Sequence, residues 1–147
     1  MLNKKQKEIF FYMDTGKWGF LSPMYLCKVV VDGMPYKSAE HYYQSMKAKR
    51  EIDRKWIREA PTGYEAKNRS HSLSMDKTVK KTNEEKVATI RKAFFAKFEQ
   101  NKKLAEKLIE TGDAILLEDS PDDLFWGAKG QNWIGKVVME VRESLVR

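Results

Sequence analysis

Cysteine, histidine and proline are scarce in this chain of 147 residues, which has one Cys, two His and four Pro. The single Cys27 excludes an internal disulfide and a cysteine-rich zinc site, and His41 and His71 lie too far apart for a metal-ligand motif. No apolar run is long enough for a membrane span. The segment MLNKKQKEIFFYM has too short an apolar core for a signal peptide. We therefore expect a soluble cytoplasmic protein with no metal site and no membrane partner.

Basic residues exceed acidic ones, 28 against 21, and the formal net charge is +7. Such a chain attracts anions, so a phosphate-bearing ligand or a nucleic acid is compatible with it. Acidic residues are mixed among the basic ones, and a salt-laced soluble surface explains the charge equally well. No zinc finger, homeodomain or RNP-like motif is present. The charge alone does not choose between these interpretations.

The length fits one domain, residues 1–147, and the four Trp, six Tyr and seven Phe argue against disorder. Residues 28–31 and 34–36 flank an Asp-Gly pair, which predicts a β-hairpin whose turn needs positive φ. For the helix predicted at 104–111, Asn101 is a candidate N-cap and Gly112 is a candidate left-handed residue after the C-terminus. The pattern of residues 64–76 does not assign a secondary structure. Helices are predicted at 39–50, 52–60, 84–100, 104–111 and 133–145, and further strands at 8–13 and 114–118. These elements predict an α+β domain, mainly helical with a small β-sheet.

Residues 38–47, SAEHYYQSMK, carry the densest group of reactive side chains. Ser38 is a good N-cap, and a helix beginning there would align Glu40, Gln44 and Lys47 at i, i+4 and i+7. An acid beside a base on a half-buried helix suits proton transfer. The same spacing is common on solvated helix faces, and His41 is equally well explained as a hydrogen-bonded structural residue.

A second informative stretch is 118–136, EDSPDDLFWGAKGQNWIGK, which follows a predicted strand and precedes a helix. Its glycines would let backbone N–H groups approach a ligand, and Trp126 would stack on a base or sugar. A glycine-rich connector with a buried Trp and an Asp cap explains the pattern as well. Neither a G-x-G-x-x-G nor a Walker A pattern is present, so no dinucleotide fold or P-loop is predicted.

Four segments resemble a known family when they are taken together and in order. They are FLSPMYLCKVVVDGMPYKSAEHYYQSMK, KFEQNKKLAEKLIETGDAILLE, SPDDLFWG and NWIGKVVMEVRESL. From about residue 18 to the end, the chain resembles the NADAR, or YbiA-like, N-glycosidase superfamily. The ordered set is more specific than any one segment.

The resemblance implies hydrolysis of an N-glycosidic bond that joins a ribose to a nitrogen base. One branch of the family acts on ribosylamino-pyrimidine phosphates of riboflavin synthesis. Another resembles ADP-ribosyl hydrolases that remove ADP-ribose from guanine bases of DNA or RNA. No cofactor is expected in either branch, and the resemblance leaves the oligomeric state open.

The resemblance also implies site residues. Glu40 would stabilise the sugar cation or activate water, and Asp123 would protonate the leaving nitrogen or hold ribose hydroxyls. Lys47 would contact phosphate or the leaving group, or act as an imine-forming nucleophile. Thr111-Gly112-Asp113 also matches the family, although helix capping explains it equally well. The expected substrate-binding residues are Trp18, Ser22, His41, Gln44, Trp126, Gly127 and Asn132.

Two positions depart from the family pattern. Pro23 stands where an asparagine is usual, and Thr82-Asn83 stands where an Asp-Trp pair is usual, so the reaction class is better defined than the substrate. The alternative function is a non-catalytic reader of ADP-ribose or nucleic acid, favoured by the basic charge with interleaved aromatic residues. A reader would bind with a steep salt dependence and would not need Glu40, whereas a hydrolase would.

Overall fold

The computed structural model describes residues 6–147. The chain divides into two compact units: unit 1 holds the described residues up to Ser22 together with Lys102–Arg147, and unit 2 is Pro23–Asn101. The elements are helices α1 (Ala39–Ser45), α2 (Glu51–Arg58), α3 (Gly63–His71), α4 (Asn83–Gln100), α5 (Lys102–Glu110) and α6 (Trp133–Leu145), and strands β1 (Glu8–Phe11), β2 (Val29–Val31), β3 (Met34–Tyr36) and β4 (Ile115–Glu118). This confirms the predicted α+β class, mainly helical with little sheet.

Unit 1 is built on a parallel pair of strands, β1 and β4, in which Glu8 lies opposite Ile115. Alternate residues of β1 are buried, as expected for a strand with one face on a core. Helix α6 packs against β4 and against α5, and it buries Val137, Val138 and Val141. The sequence predicted α6 with these bounds because its apolar residues recur at helical spacing.

Unit 2 begins with the predicted hairpin of β2 and β3. Asp32 and Gly33 both adopt positive φ, 51° and 80°, which is the geometry of a tight two-residue hairpin turn. Helix α4 packs on β2, and its Phe94 and Phe98 rings stack with centroids 6.3 Å apart. None of the helices within residues 6–147 is both long enough and apolar enough to span a membrane.

Hydrogen bonds at its two ends define α4. Thr82 and Glu85 form a reciprocal capping box at the start, so Thr82 in place of the usual family residue gives a good helix N-terminus. At the other end, the Asn101 amide donates to the carbonyls of Lys28 and Lys97. The predicted N-cap of α5 thus bonds instead to the residue before β2 and to the last turn of α4. Gly112 has φ of 63°, as predicted for the residue after α5.

Helix α1 is shorter than the sequence predicted, and this is a correction. The helix was expected over 39–50, but it ends at Ser45. Beyond it the Lys47 carbonyl accepts a bond from the Val79 N–H at 2.8 Å, and the Lys49 N–H donates to the Lys77 carbonyl at 3.0 Å. Pairing with this distant segment replaces the helical bonds, so Lys47 does not lie on a helical row with Glu40 and Gln44.

Candidate active site

Helix α1 places polar side chains in the interior of unit 2. The Ser38 hydroxyl caps the helix by accepting from the His41 N–H at 3.2 Å. Every residue of α1 is buried because the helix packs against α2, α3 and α4. Burial of ionisable groups costs free energy unless they are paired, so the polar residues of α1 are candidates for function.

Glu40 is the acidic residue of this helix and is only 7% exposed. Its Oε2 accepts a hydrogen bond from Gln44 Nε2 at 2.5 Å. Burial raises the pKa of the Glu40 carboxyl, while the Gln44 hydrogen bond and the positive charges of Lys47 and Lys67 oppose the rise. The other end of the Gln44 amide, Oε1, is buried and has no hydrogen-bond partner within the described residues. An orphaned buried acceptor beside a carboxyl of raised pKa is typical of a binding site.

Gly63, the first residue of α3, lets the chain approach Glu40 closely. A Cβ on Gly63 would lie 2.7 Å from Met24 Sδ and 3.2 Å from Glu40 Cβ. Thr62 caps α3 through its hydroxyl, which accepts from the Glu65 N–H at 3.1 Å. The position of the Glu40 side chain therefore depends on the absence of a side chain at residue 63.

Lys47 lies just beyond α1 and is half-buried, with its Nζ 4.9 Å from the centroid of the Tyr43 ring. Burial lowers the pKa of the Lys47 amine, as do the charges of Lys86, Lys67 and Lys81, while Glu40 raises it. The pKa values of Glu40 and Lys47 thus shift towards each other. Convergence of an acid and a base reduces the free-energy cost of moving a proton between them or to a substrate.

His41 has a structural environment. It is fully buried; its Nδ1 lies 2.6 Å from the Ser38 hydroxyl, and its Nε2 lies 2.9 Å from the Ala60 carbonyl oxygen. Burial lowers the pKa of the imidazole, which favours a neutral ring. Both ring nitrogens are therefore engaged by the protein, which is consistent with a structural role, and the contact of His41 with substrate stays a prediction.

Lysines from α3, α4 and the segment before α4 gather near Lys47, and the sequence did not single them out. Lys67, Lys81 and Lys86 all act on the charge of Lys47, and His71 lines the same cavity as Lys47. These residues are far apart in the sequence, and both the packing of α3 on α1 and the bonds between 77–79 and 47–49 bring them together. Within residues 6–147, no group of three His, Cys, Asp or Glu side chains is arranged to hold a metal ion.

In unit 1, the predicted residues Asp123, Trp126 and Gly127 build a tight turn. Asp123 Oδ1 accepts from the N–H groups of Phe125, at 3.0 Å, and Trp126, at 2.8 Å. A Cβ on Gly127 would lie 2.6 Å from the Asp123 carbonyl oxygen, so the turn requires glycine there. The half-buried Trp126 ring meets Phe125 edge-on, with centroids 4.7 Å apart. One Asp123 oxygen is therefore committed to the backbone.

Asn132 and Glu118 connect the end of β4 to the start of α6. Asn132 has φ of 53°; its Oδ1 accepts from the Glu118 N–H and its Nδ2 donates to the Leu116 carbonyl, both at 3.0 Å. Through these two bonds the Asn132 amide, which was predicted to bind ligand, also has a structural role. Glu118, which the sequence did not single out, is buried against the Ser120 hydroxyl, and burial raises the pKa of its carboxyl.

The remaining predicted residues, Trp18 and Ser22, flank a single 3₁₀ turn, Gly19–Leu21, in unit 1. The Trp18 ring is half-buried with Lys17 Nζ 4.7 Å from its centroid, and Ser22 is buried. The predicted site residues thus form two groups. Glu40, His41, Gln44 and Lys47 lie together in unit 2, and Trp18, Ser22, Asp123, Trp126, Gly127 and Asn132 belong to unit 1.

Comparison with known proteins identifies the class to which these units belong. The NADAR domain model matches residues 10–146. N-glycosidase YbiA of Escherichia coli is 34% identical over 143 residues, which is 93% of this chain and 88% of that protein. The NMR structure of E. coli YbiA superposes with a TM-score of 0.85 at 32% identity, covering 98% of this chain and 88% of that one. The chain belongs to the NADAR domain family.

A second relative is longer than this chain. A riboflavin biosynthesis protein of Vibrio vulnificus is 33% identical over 150 residues, or 97% of this chain, but the match spans only 40% of that protein. An N-glycosidase of Nostoc punctiforme, of which the match spans 92%, is 31% identical over 93% of this chain. The protein is therefore a YbiA-like homologue of enzymes that hydrolyse N-glycosidic bonds.

Proposed function

We propose that this protein acts in the cytoplasm to hydrolyse the N-glycosidic bond between a phosphorylated ribosyl group and a nitrogen base. The observation that carries the proposal is the buried carboxyl of Glu40, held by Gln44 and coupled electrostatically to Lys47. Family membership and relatives named N-glycosidases support the reaction class. Glu40 is the proposed essential residue and Lys47 the second.

Breaking this bond builds positive charge on C1′ and the ring oxygen and negative charge on the departing nitrogen. A Glu40 carboxylate would stabilise the cation or take a proton from the attacking water. The water oxygen bonds to C1′ as the C1′–N bond breaks, and the leaving nitrogen gains one proton. The raised pKa of Glu40 makes it a stronger base than an exposed carboxylate, which suits proton removal near neutral pH.

Gln44 would orient both Glu40 and the substrate. Its Nε2 already donates to Glu40, while the unpaired Oε1 is an acceptor for a ribose hydroxyl or an exocyclic N–H of the base. A substrate donor there would satisfy a buried acceptor that otherwise carries a desolvation cost. We assign Gln44 to substrate binding on this ground.

Lys47 has two roles that its lowered pKa permits. As a cation it would contact phosphate or stabilise the leaving group. As a neutral amine it would attack C1′ and displace the base, and the resulting glycosylamine would open to an imine that water hydrolyses. Trapping with borohydride separates the roles, because only an imine leaves a reduced ribosyl adduct on Lys47 that mass spectrometry detects.

Asp123 as the second acid stays a prediction from the family pattern.

Two substrate classes fit the reaction. Ribosylamino-pyrimidine phosphates are favoured by the relative named as a riboflavin biosynthesis protein. ADP-ribosyl groups on guanine bases of DNA or RNA are favoured by the net charge of +7, which attracts polyanions. Both classes present a phosphorylated ribose joined through C1′ to a base nitrogen. The same catalytic residues would therefore act on either class of substrate.

The test is product release by purified protein, measured by chromatography with each substrate class in turn. Wild type is compared with Glu40→Gln and with Glu99→Gln, an exposed carboxylate of the same unit. We expect release from one class by wild type and Glu99→Gln and none by Glu40→Gln. Full activity of Glu40→Gln would refute the assignment. Salt-sensitive binding without release, unchanged by Glu40→Gln, would establish the non-catalytic reader instead.

A further inference from the structure

A cavity of about 720 Å³ opens beside Lys47 in unit 2, and most of the residues that line it are basic or carry a hydroxyl, with Leu73 and Val79 as the apolar exceptions. We call it the lysine cavity and define it by Lys47, His71, Lys80, Lys81 and Lys86. Ser70 and Thr78 also line it, and no acidic residue is among the lining residues. Clustering several like charges around one space is unfavourable unless an anion occupies it.

The lysine cavity is assembled by tertiary contacts rather than by one flexible surface segment. His71 ends α3, Lys80 and Lys81 precede the capped start of α4, and Lys86 lies on its first turns. Bonds between 47–49 and 77–79 fix the wall that carries Lys47. Lys81 Nζ donates to the Thr89 hydroxyl at 3.0 Å, which restrains that side chain. The wall that carries Lys47 and the Lys81 side chain are therefore positioned before any ligand arrives, which favours binding.

The charges around the cavity are only partly neutralised by the protein. Glu85 attracts Lys81, but its carboxylate also completes the capping box at Thr82. Glu40 attracts Lys47 from the other side. The pKa of Lys47 is lowered by burial and by Lys86, Lys67 and Lys81, and that of His71 by burial, Lys47 and Lys67. A phosphate in the cavity would relieve this repulsion.

Lys47 belongs both to the lysine cavity and to the Glu40–Gln44 cluster. A ribose with C1′ at Glu40 carries its 5′ oxygen at the opposite side of the ring, so a group attached there would extend towards a neighbouring wall. We propose that the lysine cavity binds the phosphate or diphosphate on C5′ of the substrate's ribosyl group. This inference rests on the proposed function and adds the position of the anionic end of the substrate.

Binding measurements test the inference without relying on turnover. Isothermal titration calorimetry would compare ribose 5-phosphate, ADP-ribose, inorganic phosphate and ribose on wild type, on Lys81→Gln/Lys86→Gln and on Lys102→Gln/Lys103→Gln. The last variant removes the same charge from exposed positions of α5 in unit 1. We expect a phosphorylated ribosyl ligand to bind wild type, and the cavity variant to bind it at least about tenfold more weakly, with the control within about twofold.

The two ribosyl ligands distinguish the sources of the phosphate. Preference for ribose 5-phosphate would indicate a monoester and preference for ADP-ribose a diphosphate, and lysine dependence in either case supports the inference. Equal weakening by the α5 control would overturn it, because the effect would then be one of net charge. Equal binding of ribose and its phosphate would also overturn it.

Turnover separates this inference from the proposed function. If the enzyme is active and Lys47 acts as a cation, the cavity variant should raise KM with kcat changed much less, since the phosphate is bound equally before and during bond breaking. If no substrate is turned over but ribosyl phosphate binding depends on Lys81 and Lys86, the lysine cavity stands and the Glu40 assignment fails. Normal turnover with unchanged KM in the cavity variant would overturn the cavity alone. Thermal unfolding of each variant checks that the fold is intact.

Discussion

The side chains of Glu40 and Gln44 are joined by a 2.5 Å hydrogen bond across one turn of a buried helix. The donor is the Gln44 amide nitrogen, and the amide oxygen has no partner among the described residues. The bond lowers the pKa of a carboxyl that burial raises. Gln44 therefore adjusts the acidity of Glu40, and in the proposed mechanism its amide oxygen would accept a hydrogen bond from the substrate.

This relationship predicts the effect of Gln44→Met on the pH dependence of hydrolysis. Loss of the Nε2 donor should raise the pKa of Glu40 further. If the Glu40 carboxylate acts as the base, the acidic limb of kcat/KM should move to higher pH, and maximal activity should fall at least about tenfold with loss of the substrate contact. An unchanged acidic limb would show that Glu40 does not set it.

Glu40→Gln should stabilise the protein at neutral pH while removing activity. Because the folded-state pKa of Glu40 is raised, its stabilising contribution is present at low pH and is lost as pH rises through that folded value. The variant keeps an acceptor for Gln44 and removes the buried charge. Thermal unfolding at about pH 4 to 8 should show the variant's advantage growing with pH. A lower melting temperature than wild type at the alkaline end of that range would contradict this.

The sequence predicted those features of the site that depend on local spacing. Ser38, Glu40 and Gln44 follow from one capped helix, and the helix exists. Lys47 was predicted to share its face, but the chain leaves the helix after Ser45 because 47–49 bonds to 77–79. A pairing partner about thirty residues away leaves no mark in a helical pattern.

Other features were also set by distant contacts. Lys81 and Lys86 looked like two of many basic residues until α4 and the segment before it were placed against Lys47. Asn132 matched a ligand-binding pattern, but both ends of its amide bond to the backbone at β4. Composition and hydrophobic periodicity predicted the helices and strands well, since their formation is largely local. The partners of individual side chains could not be predicted in this way, because they come from distant parts of the chain.

Gly63→Ala tests how Glu40 is positioned. The added Cβ would lie within 2.7 Å of Met24 Sδ and 3.2 Å of Glu40 Cβ, so one of them must move. We expect a loss of about 1–3 kcal/mol in stability, and reduced kcat from displacement of Glu40. Combining Gly63→Ala with Met24→Ala should recover part of the lost stability and part of the lost kcat. Wild-type activity in Gly63→Ala would mean that Glu40 tolerates displacement.

Lys97 offers a stability prediction away from the candidate site. It is fully buried, with the rings of Tyr25, Phe94 and Phe98 centred 5.2–5.4 Å from its Nζ. Burial lowers the pKa of the Lys97 amine from 10.5 to about 8. The folded state therefore holds this proton less well than the unfolded state, and stability should rise between about pH 8 and 10.5.

Lys97→Met should remove that rise and stabilise the protein at neutral pH, by up to about 3 kcal/mol if the rings keep their positions. Denaturant unfolding at about pH 7 and pH 10 measures both effects. The exposed Lys103→Met serves as the control and should change neither. Destabilisation by Lys97→Met at neutral pH would show that contact with the three rings outweighs the cost of burying the charge.

Asp123 is the residue for which structural and catalytic roles can be separated by two substitutions. Its Oδ1 accepts from the N–H groups of Phe125 and Trp126, so Asp123→Ala should cost about 1–3 kcal/mol of stability by leaving both donors unpaired. Asp123→Asn keeps the acceptor and should fold normally. If Asp123 is the second acid, the Asn variant should lose hydrolysis at wild-type stability. If the turn is its only role, the Asn variant should hydrolyse substrate as wild type does, because the backbone of the turn would be unchanged.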